Sequence, residues 1–133
     1  MRRAVSTAYY ALFHALARLC ADELVGVSHG HSQEWARVYR ALDHRTAKVV
    51  LSSADAARLG SAVAQIGASL SDLQERRHQA DYDPAFFSFY FDETEALIEL
   101  AASAIADLDR LDADQRRSLA IMLIVKKRSD GRP

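Results

Sequence analysis

Apolar residues recur at steps of three and four almost throughout this chain, which is the period of an α-helix and not of a strand. The clearest run is Leu59, Val63, Ile66, Leu70 and Leu73. Helices striped in this way must bury the stripe against one another, so the pattern leaves little besides a bundle. The residue inventory agrees, with 24 alanines against five glycines and two prolines. Alanine is the best helix former and the breakers are scarce. A sheet protein would need many turn residues and β-branched runs. At 133 residues the chain fits the length of one domain and can bury a core without disulfide or metal staples. The expected fold is all-α, an up-and-down bundle of four to five helices, with one domain over 1–128 and a frayed tail at 129–133.

The first helix is predicted from Arg2 to Leu24, with Val5, Ala8, Leu12, Leu16 and Leu19 on one stripe, widened by Tyr9, Phe13 and Cys20. So wide an apolar face wants neighbours on several sides, either a helix upstream of Met1, the C-terminal helix or a partner chain. Gly26 ends this helix. A second is predicted from Ser32 to Lys48, with Trp35, Val38, Tyr39 and Leu42 inward. A third follows from an N-cap at Ser53 and carries the Leu59 to Leu73 stripe. It ends at Asp81-Tyr82-Asp83-Pro84, because Pro84 disfavours helix at Asp83. Residues 85–91 form an aromatic connector whose Phe and Tyr side chains suggest an interface. Asp92 with Glu95, and Asp112 with Gln115, read as caps of a fourth helix ending near Leu111 and a fifth ending near Lys127. The inward residues of the fourth are Leu97, Leu100, Ala101, Ala104 and Leu108. Those of the fifth are Leu119, Met122, Leu123 and Val125.

Net charge is −1 but unevenly spread. Residues 1–80 hold ten Lys/Arg against seven Asp/Glu, residues 81–114 hold one against ten, and residues 115–133 hold six against one. That argues against a blanket nucleic-acid surface and leaves room for a local basic site. The single cysteine, Cys20, excludes an intramolecular disulfide and a multi-cysteine zinc site, so a reduced, cytoplasmic setting is expected. No apolar run approaches the roughly 18 residues of a membrane span, and the Met1–Ser6 stretch carries no signal-peptide core.

Arg77 stands four residues after Leu73 and so continues the apolar stripe. A guanidinium there needs an anion or a hydrogen-bonded partner, because burying an unpaired charge is costly. Asp81, one turn on, could supply a structural pair. Otherwise Arg77 faces a cleft, ready to hold a phosphate bidentately. Arg76 is placed for solvent and for Asp72. Tyr10 and His14 lie four apart on the first helix, beside its apolar stripe. The imidazole suits acid–base work, or simply packing and hydrogen bonding. His29 and His31 flank a loop glycine, and His44 and His78 adjoin arginines, none at metal-ligand spacing. No metal site and no cofactor is expected, and no phosphate loop, nucleophile elbow or His-Glu-x-x-His is present.

Three stretches resemble the HEPN domain family (higher eukaryotes and prokaryotes nucleotide-binding), specifically a mostly uncharacterised prokaryotic branch. They are Arg3-Ala4-Val5-Ser6-Thr7-Ala8-Tyr9-Tyr10-Ala11-Leu12-Phe13-His14-Ala15, then Ser28-His29-Gly30-His31, then Arg77-His78-Gln79-Ala80-Asp81-Tyr82-Asp83. The resemblance covers about residues 2–111. It implies a helical bundle, commonly a homodimer, often encoded beside a small nucleotidyltransferase as a toxin–antitoxin pair. Many members are metal-independent ribonucleases in which an arginine holds the scissile phosphate and a histidine four to six residues later serves the attacking 2′-hydroxyl. Arg77 matches the arginine, whereas Tyr82 stands where that histidine would, and His14 is a substitute only where the fold brings it near Arg77. Three functions follow. The first is a nucleotide- or RNA-binding module, with Arg77, Asp81 and Tyr10 at the site. The second is a metal-independent endoribonuclease toxin using Arg77 with Tyr82 or His14. The third is a purely structural interaction domain with Arg77 locked to Asp81.

Overall fold

The computed structural model describes residues 2–82 and 94–125, with side chains described for 5–79 and 95–125. These residues form helices and no strand. Among the described residues seven α-helices occur in order: α1 (Arg2–Leu24), α2 (Gln33–Ala41), α3 (His44–Leu51), α4 (Ala54–Ala57), α5 (Ser61–Tyr82), α6 (Thr94–Asp109) and α7 (Ala113–Ile124). A 3-10 turn, Val27–His29, separates α1 from α2.

Helix α1 is the central element and packs against α2, α5, α6 and α7, while α5 also packs against α3, α4 and α6. The wide apolar face of α1 is therefore covered from several sides, one of them by the C-terminal helix. Val5, Ala8, Tyr9, Leu12, Phe13, Leu16, Leu19 and Cys20 are all buried there. Val63, Ile66, Leu70 and Leu73 meet them from α5, and Leu97, Ala101, Ala104 and Leu108 from α6. Leu119 and Leu123 close the core from α7.

Two of the expected helices are each broken in two. The second does not run from Ser32 to Lys48. It stops at Ala41, where buried Leu42 turns extended and the Asp43 carboxylate accepts from the Thr46 amide at 2.7 Å, capping α3. Ser53 caps only the four residues of α4, accepting from the Ala56 amide at 3.2 Å. The chain then reverses at Gly60, whose φ of +139° is a glycine conformation, before α5 begins. Leu59 therefore belongs to the turn and not to the long helix. At the other end, Asp112 and Gln115 form the expected capping box. Helix α7 ends at Ile124, and Val125 is exposed and not inward as expected. Asp92, the aromatic stretch 85–91 and the 129–133 tail lie outside the described residues.

Candidate functional site

The break at Leu42–Asp43 decides what surrounds Arg77. It sets His44 at the first turn of α3, and α3 packs along α5. The His44 ring then stacks on Phe13 of α1, with centroids 4.0 Å apart and planes 19° apart. Its Nδ1 shares a 2.7 Å hydrogen bond with the hydroxyl of Tyr9. Tyr9 is fully buried, so its phenol requires such a partner. Tyr10 approaches the same imidazole edge-on, at 5.7 Å.

Arg77 reaches this cluster from the last turns of α5. Its guanidinium carbon lies 5.2 Å from the Tyr9 ring centre and 4.9 Å from that of Tyr10. These are cation–π distances. The guanidinium is half-buried, as its place on the apolar stripe requires. Two shifts record how the groups act on one another. Burial raises the Tyr9 phenol, and the nearby Arg77 charge only partly offsets this. Burial likewise pushes the His44 imidazole below its ordinary 6.5, Arg77 pushes it further down, Asp43 opposes, and His14 adds a small push down. His44 is therefore a neutral imidazole at pH 7, beside a fixed positive charge.

His14 stands one turn beyond Tyr10 on α1 and is exposed. Its Nδ1 shares a 2.9 Å hydrogen bond with the Tyr39 hydroxyl from α2. The structure thus brings together Arg77, Tyr10, Tyr9 and His44, with His14 and Tyr39 adjoining. Tyr82 and Asp81 lie on the last turn of α5, and their side chains are outside the described residues, as is the Arg77–Asp81 pair. Arg76 meets Asp72 at 3.4 Å one turn away, the surface pair expected of it.

His44 is the residue that reading the sequence missed. It shows no ligand pattern, and the one local signal for its place is Asp43, an N-cap residue three before Thr46. Among the described residues no group of three or more His, Cys, Asp or Glu side chains is placed to hold a metal ion. Cys20 is buried, with its thiol pushed up to about 12 by desolvation, so it is no nucleophile at neutral pH. No helix among the described residues is long and apolar enough to cross a membrane. Comparison with protein-family models, with curated proteins and with solved structures gave no match.

Proposed function

We propose that the chain is a HEPN-like helical module that binds the phosphate of a nucleotide or of RNA at Arg77. The observation that carries this reading is the guanidinium held half-buried over Tyr9 and Tyr10. An arginine whose plane is fixed by aromatic faces keeps its fork of donors in one orientation, which suits bidentate phosphate recognition. Tyr10 beside it is only half-buried, which leaves part of its ring for contact with a base. The homodimer and the nucleotidyltransferase partner in a toxin–antitoxin pair rest on the family resemblance alone.

Binding of adenosine monophosphate and of a labelled single-stranded RNA, in EDTA, tests the site. Arg77→Ala should abolish both, whereas Arg76→Ala should change neither by more than about two-fold, as for a surface charge. Equal loss in the two variants would mean general surface charge. Unchanged binding in Arg77→Ala would remove the site from this end of α5.

A second reading, a metal-independent endoribonuclease, is favoured by one specific observation: the His44 imidazole, stacked on Phe13 and bonded through Nδ1 to Tyr9, stands close to Arg77, with its pKa pushed down by burial and by that charge. When Nδ1 carries the proton and donates it to Tyr9, Nε2 is a bare acceptor able to take the proton of an attacking 2′-hydroxyl. General-base assistance of this kind contributes about 100- to 10,000-fold. RNA cleavage in EDTA that is lost in His44→Ala and retained in His14→Ala would establish it. The reverse pattern would return the base to the position expected from the sequence.

A further inference from the structure

The aromatic groups near Arg77 do not stop at Tyr10. A row of rings continues away from the guanidinium, crossing from α1 to α2. Tyr10 and His14 have centroids 6.0 Å apart, His14 and Tyr39 5.9 Å, and Tyr39 and Trp35 5.1 Å. None of these four residues is buried. Helix α2 buries no residue fully: Tyr39 packs against the core but, like Trp35, keeps part of its ring open.

The rings are held at their polar edges. Trp35 Nε1 donates to the Asp22 carboxylate at 2.9 Å, and the Tyr39 hydroxyl is bound to His14 Nδ1. The hydrogen-bonding direction of an imidazole nitrogen lies in the ring plane. A phenol bonded there, with planes only 6° apart, sits edge to edge with the imidazole. Tyr39 and His14 therefore present one nearly flat plate. Rings pinned in advance lose little rotamer freedom when something stacks on them.

We infer that Trp35, Tyr39, His14 and Tyr10 form a stacking track for a single-stranded polynucleotide, with one phosphate at Arg77 and the following bases laid along the rings. The inference rests on the phosphate reading of Arg77 and adds to it the class of ligand. Each ring-to-ring step exceeds the roughly 3.4 Å repeat of a stacked strand, so the whole row is longer than one nucleotide can cover. Aromatic faces beside basic side chains are how single strands are held without base-edge contacts. The polar edges, and the Arg77 guanidinium at the head of the row, favour such a polyanion over an apolar protein segment.

The sole tryptophan of the chain, Trp35, lies at the far end of the track, so its emission reports occupancy there. The full chain is titrated in EDTA at fixed salt with an RNA octamer of adenylate, its DNA counterpart and adenosine monophosphate. Both octamers should quench Trp35, and the mononucleotide, held at Arg77, should not. Quenching by RNA alone would still support the track, and would add a 2′-hydroxyl contact. Tyr39→Leu should weaken octamer binding about ten-fold, a typical loss for one stacked base, and leave the mononucleotide unchanged. Tyr39→Phe, which keeps the ring, should bind within a few-fold of wild type. An octamer that binds no tighter than the mononucleotide, or binds without altering Trp35 emission, overturns the track and leaves the Arg77 site standing. That reading in the unmodified chain holds even if Tyr39→Leu does not fold. Binding of both ligands that survives Arg77→Ala overturns the phosphate reading itself, and the track with it.

Discussion

The behaviour of the site turns on the coupling between two side chains, Arg77 and His44. Arg77 was legible in the sequence, because a guanidinium four residues beyond Leu73 breaks an otherwise apolar stripe. His44 was not, because nothing local ties it to Arg77. The imidazole arrives there through the packing of α3 on α5 and the partnership with a buried phenol. Its depressed pKa has burial as the larger cause and the Arg77 charge as the second. Replacing Arg77 with glutamine removes only the second. The His44 pKa in Arg77→Gln should therefore rise toward 6.5 while staying below it. A ring-proton NMR titration of the two proteins checks this. No movement would mean that the guanidinium does not sit beside the imidazole. A phosphate bound at Arg77 should act in the same direction, because an anion favours the protonated ring.

At the scale of the elements, periodicity showed the long helices and concealed the breaks. The Asp112–Gln115 capping box was readable because both halves of the motif lie within four residues. The joints at Asp43 and Gly60 were harder, because apolar residues stand on both sides of each and the stripe reads straight through. Their signals, an N-cap aspartate and a glycine, are weaker than the pattern that masks them. Gly67 carries a further constraint that only the packing reveals. It faces the carbonyl of Leu51, and a Cβ placed at Gly67 would collide with that oxygen. Within a helix, alanine is normally favoured over glycine by about 1 kcal/mol. Here the contact is with backbone, which cannot swing aside, so Gly67→Ala should destabilise the fold by about 1–3 kcal/mol, as overpacking does. A denaturant titration with a lowered midpoint and unchanged slope is the expected result. A raised midpoint would show that α3 and α5 are not in close contact at this point.

For the whole molecule, the shifted groups predict how stability follows pH, and each sign can be worked out separately. His44 has a folded pKa below its ordinary 6.5. As pH falls through 6.5 the unfolded chain takes up the proton first, so stability declines and levels off only below the folded value. The carboxylate of Asp43, held down chiefly by the Thr46 amide, behaves likewise at lower pH. Its contribution is complete above 3.8 and is lost as pH falls through the folded value. Cys20 acts on the alkaline side. Its thiol is raised from 9.0 to about 12, so its contribution is full below 9.0 and is lost as pH rises toward 12. These three groups therefore leave a plateau between about pH 6.5 and 9 with an acid shoulder assigned to His44. Thermal midpoints of the wild type and of His44→Gln, measured from pH 8 to pH 5, separate that shoulder from general acid effects. The variant loses the Tyr9 hydrogen bond in its original form and should start lower at pH 8, by about 1 kcal/mol. It should then fall less steeply below pH 6.5, because its side chain does not titrate. Parallel curves for the two proteins would mean that His44 protonates as readily in the folded chain as in the unfolded one, and that the neutral imidazole beside Arg77 is not a property of this fold.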